Sequence, residues 1–433
     1  MRFFSIILLL LIAGCNRNPK YGTNDANSVC DTENLVQDGA WFGRNTTKIA
    51  RYGNTVFTYI MPNDADHRHI ILYKKTDGQA WEKGMRMAVT RAPNLIVDSK
   101  GCVHIVGHRV FDDSDQTDGR LFHSVFKNPM DIVGKHTFEF ITPDWRLNRT
   151  PDTYATYYAG ATIDRNDVIT VVYCNSATHS QYPSLASISN NSIDGSWHYA
   201  SVSDSMSSRL CYPYVVNGRL QQHIVSVEDQ YDAALESTGY PYRYGKVEHL
   251  FKANEAEQWK SETLFNLNGK YSKADIANSL LRVADVLYDA NDTLHVLLRM
   301  AEFAVSINKP DSMLGTKLIY LRKHELDTQW LRIQLPFLDY TGPRLWECPD
   351  GQIVLVGING RNSAIDMVSL SSFLKKTDNR FEGYWGNDPY LFLSNKRNTA
   401  LANGHGLDIV LFDGTASLPA KASTNLQYPC MAQ

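Results

Sequence analysis

Asn291-Asp292-Thr293-Leu294-His295-Val296-Leu297 and Gly351-Gln352-Ile353-Val354-Leu355-Val356 are two copies of one phrase: a Gly, Asn or Asp turn, then about six residues in which apolar side chains dominate. The phrase recurs at Gly53 (leading to Val56, Phe57, Tyr59), Gly101 (Val103, Ile105, Val106), Asn166 (Ile169, Val171, Val172), Gly218 (Leu220, Ile224, Val225) and Gly404 (Leu407, Ile409, Leu411). Successive turns are separated by between 48 residues (Gly53 to Gly101) and 73 residues (Gly218 to Asn291). A mean period of roughly 58 leaves room for about four short strands with their turns, which is one propeller blade. The expected fold is therefore all-β, a seven-bladed β-propeller of four-stranded antiparallel blades.

A second marker falls between these turns. Polar stretches with Asp or Glu run into an aromatic: Asp77 and Gly78 before Trp81, Asp194 and Gly195 before Trp197, Glu255 and Glu257 before Trp259, Asp327 before Trp330, and Asp378 before Phe381 and Trp385. These read as hairpins between third and fourth strands, with Trp packed between neighbouring blades. They resemble the Asp-box hairpin of the bacterial-neuraminidase repeat, without its full Ser-x-Asp-x-Gly-x-x-Trp order.

The amino terminus addresses location. Arg2 is followed by an apolar run, Phe3 to Ile12, that is too short to span a bilayer, and Leu11-Ile12-Ala13-Gly14-Cys15 ends it. That order resembles the lipobox of bacterial lipoproteins, which implies cleavage before Cys15 and lipidation of its thiol. The division expected is a signal peptide over 1–15, a polar tether over 16–30 and one propeller domain over 31–433, held at the envelope, with the outer membrane favoured. Forty-three basic against 46 acidic side chains leave a net charge of −3, with no basic run or aromatic ladder, so a nucleic-acid partner is not expected. Cys30 and Cys430 lie near opposite ends of a chain whose ends must meet to close a ring, and a disulfide between them is an expectation. No cysteine pair has zinc-site spacing, and no metal or cofactor is expected.

In a propeller the starts of innermost strands, the ends of second strands and the starts of third strands share one face, around the channel mouth. That face collects His108, Arg109 and His123 from the second repeat, Tyr157 and Tyr158 from the third, Tyr212, Tyr214, Arg243 and Tyr244 from the fourth, and Arg299 and Arg344 from the fifth and sixth. Polar groups from many blades converging on one pocket make it the expected binding site. The longest connections, 110–119, 229–242 and 301–315, join second to third strands on the same face. His104 and His295 occupy matching places in their strands and read as core histidines. His108 has Cys174, Arg299 and Ile358 as counterparts, so no packing rule demands an imidazole there.

The stretch from Pro93 to His108 (Pro-Asn-Leu-Ile-Val-Asp-Ser-Lys-Gly-Cys-Val-His-Ile-Val-Gly-His), followed by Leu121-Phe122-His123-Ser124 and Asn128-Pro129-Met130-Asp131-Ile132, resembles the second-blade signature of secreted propeller polysaccharide lyases. Those include ulvan lyases and, more distantly, enzymes acting on rhamnosyl-glucuronate caps. The resemblance implies β-elimination at a uronic acid of a polysaccharide, with His108 in the site, Tyr158 or Tyr212 transferring protons, and an arginine on the uronate carboxylate. The arginine expected about sixteen residues after the tyrosine is replaced by Cys174 after Tyr158 and by Glu228 after Tyr212, which passes the role to Arg243 or Arg299. A non-catalytic glycan-binding propeller, a scaffold, and a sialidase-like hydrolase using Arg243, Arg299 and Arg344 are the alternatives.

Overall fold

The computed structural model describes residues 45–62, 69–110, 119–142, 158–175, 184–190, 195–203, 209–231, 233, 242–253, 257–267, 279–303, 313–336, 340–359, 364–378, 389–395, 397, 399, 406–413 and 421–426. The proposed signal segment, the tether, Cys15, Cys30 and Cys430 lie outside these residues. The elements are strands throughout. Blade 1 is β1 (Ile49–Tyr52), β2 (Thr55–Ile60), β3 (His69–Thr76) and β4 (Glu82–Ala88); blade 2 is β5 (Asn94–Val97), β6 (Val103–Val110), β7 (Gly119–Phe126) and β8 (His136–Phe140). Blade 3 is β9 (Gly160–Ile163), β10 (Ile169–Asn175), β11 (Ser184–Asn190) and β12 (Trp197–Ser203). Blade 4 is β13 (Arg209–Asn217), β14 (Gln222–Tyr231), β16 (Lys246–Lys252) and β17 (Lys260–Asn266), with a short β15 (Tyr242–Arg243) pairing β14. Blade 5 is β18 (Ser279–Tyr288), β19 (Thr293–Phe303), β20 (Met313–His324) and β21 (Leu331–Leu335), and blade 6 is β22 (Tyr340–Glu347), β23 (Ile353–Asn359), β24 (Ile365–Ser369) and β25 (Lys375–Asp378).

Six blades of four-stranded antiparallel design are therefore present, and the expected seven are corrected to six. The last repeat supplies a sheet of three strands among the described residues, β26 (Pro389–Leu393), β27 (Leu407–Asp413) and β28 (Lys421–Leu426). This sheet closes the ring: innermost strands touch in chain order from β1 to β26, and β26 and β27 meet β1.

The turns behave as their residue types require. Gly53, Gly101 and Gly351 have φ of +56°, +84° and +82°, and in the Asn copies the left-handed residue is the next one, Asp167 at +63° and Asp292 at +58°. The core lies between blades rather than within them. Each cluster of buried apolar side chains joins two neighbouring sheets, as Ile96 and Val106 of blade 2 do with Ala161 and Val171 of blade 3. Fully burying one such Val or Ile contributes about 1.5–3 kcal/mol. Trp81, Trp197, Trp259 and Trp330 each pack against one of these junctions, as expected. The Asp378 marker is the exception: Asp378 ends β25, so the aromatics after it follow the fourth strand and lie outside the described residues.

Chain also crosses the axis. At the face where innermost strands begin, the buried residues Asn45 to Lys48 run across the mouth: Asn45 Nδ2 donates to Pro213 O of blade 4 at 3.0 Å, and Thr47 pairs with Asn94 and Leu95 of blade 2. At the other end Ile163 N donates to Arg397 O, and Thr399 bridges to Val97. Between them sits a buried polar cluster. Asp285 accepts from Arg397 at 3.1 Å and from the Leu345 amide at 2.9 Å, while Arg344, 3.8 Å from Asp285, donates to Leu391 O, Ala284 O and the Tyr214 hydroxyl. Ring closure carries a second buried pair, with Arg51 of β1 gripping both oxygens of Asp408 of β27 at 2.7 Å.

Removing one partner of a buried ion pair costs about 3–5 kcal/mol, because the other is left uncompensated. Asp408→Ala leaves Arg51 its bidentate contact with Asp77, so it should lower the unfolding free energy in urea titration by less, about 1.5–3 kcal/mol, the worth of hydrogen bonds to a charged group; a loss below about 1 kcal/mol would show that apolar contacts close the ring without it. Asp285→Ala, which strands Arg344 and Arg397 together, should cost at least as much, and a near-neutral result would mean that the axial cluster is solvated.

Candidate functional site

Three innermost strands, β13, β18 and β22, carry irregularities close to the face where they begin. Their registers shift between Cys211 and Tyr214, between Val283 and Asp285, and between Thr341 and Arg344. A bulge bends its strand and re-aims side chains. In blade 6 the bulge holds Gly342 at φ +57° before Pro343; in blade 4 the matching residue, before Pro213, is Tyr212 at φ +53°. An aromatic side chain thus occupies a backbone conformation that glycine serves at no steric cost.

The distorted Tyr212 lies at the centre of a cluster from three blades. Its ring centroid is 4.7 Å from that of Tyr158, which precedes β9. On the other side the Arg282 guanidinium of β18 is 5.1 Å from the Tyr212 ring and 3.7 Å from the Tyr244 ring. Arg299 of β19 is the cross-strand partner of Arg282 and is half-buried. Tyr158, Tyr212, Tyr244 and Arg282 are therefore assembled, with one guanidinium against the rings of Tyr212 and Tyr244. Arg282 was missed by the sequence reading. Its signal was a charged residue inside the apolar strand Leu280-Leu281-Arg282-Val283.

His108 is buried in β6, on the face whose neighbouring position, Val106, packs with Ala159, the residue after Tyr158. Its rung is opposite Leu121, and the equivalent rungs are Cys174 opposite Leu185, Arg299 opposite Leu318 and Ile358 opposite Ile365. Gly119 makes room for it, since a Cβ there would fall 2.7 Å from His108 Nε2.

Other expected site residues are placed elsewhere. Arg344 and Tyr214 belong to the axial cluster, and burial pushes the Tyr214 phenol above its ordinary range, so neither meets a ligand at the mouth. His123 is bound inside the junction of blades 2 and 3 by His104 and Glu139, because its rung faces blade 3 and not the axis. Arg109 is exposed on the opposite side of β6 from His108, over the Phe138 ring. Arg243 lies in β15, paired through its backbone with Gln230, and Tyr157 lies outside the described residues. The core reading of His295 agrees with its partners, Tyr320 and Asp289.

No protein-family model matches the chain, and no curated protein matches it. Among solved structures it is similar to the polysaccharide lyase Uly1, at 10% identity and a TM-score of 0.56, over 92% of this chain and 93% of that one. It also aligns with an alpha-L-arabinanase of Penicillium chrysogenum (8% identity, TM-score 0.43, covering 91% and 97%) and with the Hadza microbial sialidase Hz136 (12% identity, TM-score 0.44, covering 84% and 73%). The likeness to Uly1 is one of fold, a propeller matched along nearly the whole of both chains.

Proposed function

We propose that this chain acts on a uronic-acid-containing polysaccharide by β-elimination, at the cluster around Tyr212. The observation that carries the reading is the left-handed backbone of Tyr212, held against Tyr158 and Arg282 where blade 6 uses glycine. Strain of this kind costs about 1–3 kcal/mol and persists where a side chain must be presented in one orientation. The fold-level likeness to a polysaccharide lyase and the second-blade signature support the same reading, and the lipobox-like Cys15 supports an envelope location.

In this reaction a base removes the C5 proton of the uronate, the electron pair forms the C4–C5 double bond, and the C4–O bond breaks as the leaving oxygen gains a proton. Negative charge builds on the carboxylate in the transition state, so a cation must meet it there. Arg282 supplies a guanidinium at the cluster, and Arg243 or Arg299, the arginines expected on the uronate carboxylate, would add a second. Tyr212 or Tyr158 serves as base, a role that requires a neighbouring cation to favour its phenolate. His108 approaches from blade 2. A sialidase-like reading has lost one of its expected arginines, since Arg344 is committed to the axial cluster.

Incubation with a panel of uronate polysaccharides, followed by the ultraviolet absorbance of the unsaturated uronate, should yield product. Tyr212→Phe should then lower turnover by about 10²-fold or more, the usual contribution of a positioned proton-transfer group, without lowering the melting temperature. Tyr212→Gly should lose the same activity while keeping or raising stability, because it relieves the backbone. His108→Ala should remove most turnover with the fold intact; if it unfolds the protein, His108 is a packing residue. Binding without product from any polysaccharide would replace the lyase with a glycan-binding propeller.

A further inference from the structure

Blades 2 and 4 contain related chains of side chains, largely buried in blade 4 and ending on a half-exposed glutamate in blade 2. In blade 4, His223 Nε2 is 3.3 Å from Glu325 Oε1, His223 Nδ1 is 3.0 Å from His249 Nε2, and His249 Nδ1 is 2.9 Å from Glu262 Oε1. In blade 2, His104 Nε2 is 3.4 Å from Asp98 Oδ2 in an ion-pair contact, His104 Nδ1 is 2.9 Å from His123 Nε2, and His123 Nδ1 is 3.1 Å from Glu139 Oε1. Both chains end on a tryptophan of the next blade: Trp330 donates to Glu262 and Trp197 to Glu139, each at 2.9 Å.

Counting protons along the blade 4 chain gives an odd result. Glu262 Oε1 already accepts from Lys323 and Trp330, so the hydrogen between it and His249 resides on Nδ1. A neutral His249 then offers a lone pair at Nε2, which His223 must meet with an Nδ1 hydrogen. A neutral His223 would consequently turn its own lone pair toward Glu325, whose carboxylate already accepts from the Leu220 and Gln221 amides. Lone pair against carboxylate at 3.3 Å in a buried site is repulsive. Three hydrogen bonds need three N–H protons, whereas two neutral imidazoles carry only two. Blade 2 differs: His104 Nε2 makes no hydrogen bond to Asp98, which accepts from the Lys100 and Cys102 amides, and Glu139 is half-exposed, so two hydrogen bonds are met there by two neutral imidazoles.

We propose that the His223–His249 pair binds one proton beyond those of two neutral imidazoles, making it an internal proton site that ties blade 4 to Glu325 of the next blade. Charge agrees with this in blade 4: Glu262 and Glu325 are balanced by Lys323 and the shared proton. The surrounding groups are otherwise matched, with Tyr288 stacked on His223 and bonded to Asp292, which pairs Arg219. Around the blade 2 chain, Asp167 is tied up by Ser99. Burial holds His123 and His249 below the ordinary imidazole range, His249 at about 4, so these two rings are disfavoured as the seat of a charge. Against burial, which would raise it, hydrogen bonds from His249, Trp330 and Lys323 hold Glu262 at about 2, keeping it an acceptor.

Linkage gives the sign. Above about pH 7 the unfolded histidines are neutral, so a folded state that keeps the extra proton loses stability as pH rises. Urea unfolding of the full chain in steps between about pH 7.5 and 9 should show the wild-type folding constant falling about tenfold more per pH unit than that of Glu325→Gln. The glutamine amide can donate to His223 Nε2, so the variant needs no extra proton. Equal slopes would overturn the proposal. Should Glu325→Gln fail to fold, nitrogen NMR of histidine-labelled wild type near neutral pH decides: three N–H protons across His223 and His249 sustain the proposal, and two overturn it.

Discussion

A ring of sheets leaves no bare sheet face only if its last sheet packs on its first, and here that meeting is built around a buried ion pair. Arg51 and Asp408 have side chains 5% and 0% exposed, and Arg51, which also grips Asp77, is the ion-pair partner that makes the fully buried Asp408 charge tolerable. Ile49, Val56 and Ile60 of blade 1 supply the apolar part of the junction, against Phe392, Val410 and Ala422 of the closing sheet. The pair thus reports register as well as attraction: a slip of one residue along β27 would turn Asp408 to the other side of the sheet. Because chain also crosses both ends of the axis, the innermost strands are held from outside by neighbouring blades and from inside by Asn45 to Lys48 and by Arg397 and Thr399.

The features legible in the sequence were those set by local chemistry that recurs. Gly53, Gly101 and Gly351 announce a left-handed turn because other residues are strained there, and the Asn-Asp phrases do so through Asp167 and Asp292. Trp197 and Trp330 announce a blade junction because an indole needs both an apolar face and an acceptor, which Glu139 and Glu262 provide. The count of full blades was less legible, since a closing sheet carries the same turn-and-strand phrase as a complete blade.

Placement of side chains across the axis was not legible, for a different reason. Tyr214 and Arg344 follow bulges, and a bulge changes which side of the strand each later residue faces, so alternation read from sequence gives the wrong side. Their partner Asp285 also follows a bulge, and Arg397 comes from a segment outside any strand. His123 was misplaced by proximity in the chain to a loop at the mouth. Its rung is opposite Val106, which packs toward blade 3, and its imidazole goes where that face goes.

The same bulges connect the scaffold to the candidate site. One in β13 sends Tyr214 inward to the axial cluster and leaves Tyr212 to be aimed at Tyr158 and Arg282. In β18 Asp285, after the shift, reaches the axial cluster, while Arg282, before it, lies beside Tyr212 and Tyr244. β13 and β18 therefore each contribute one residue of the axial cluster and one of the tyrosine–arginine cluster, separated by two or three positions, while β22 contributes Arg344 to the axial cluster alone. Regular alternation would put Arg282 and Asp285 on opposite sides without any bulge, yet would leave Tyr212 and Tyr214 on the same side. The extra residue in β13 is what releases Tyr212 from the axis, and the left-handed backbone at Tyr212 is the local consequence of that release.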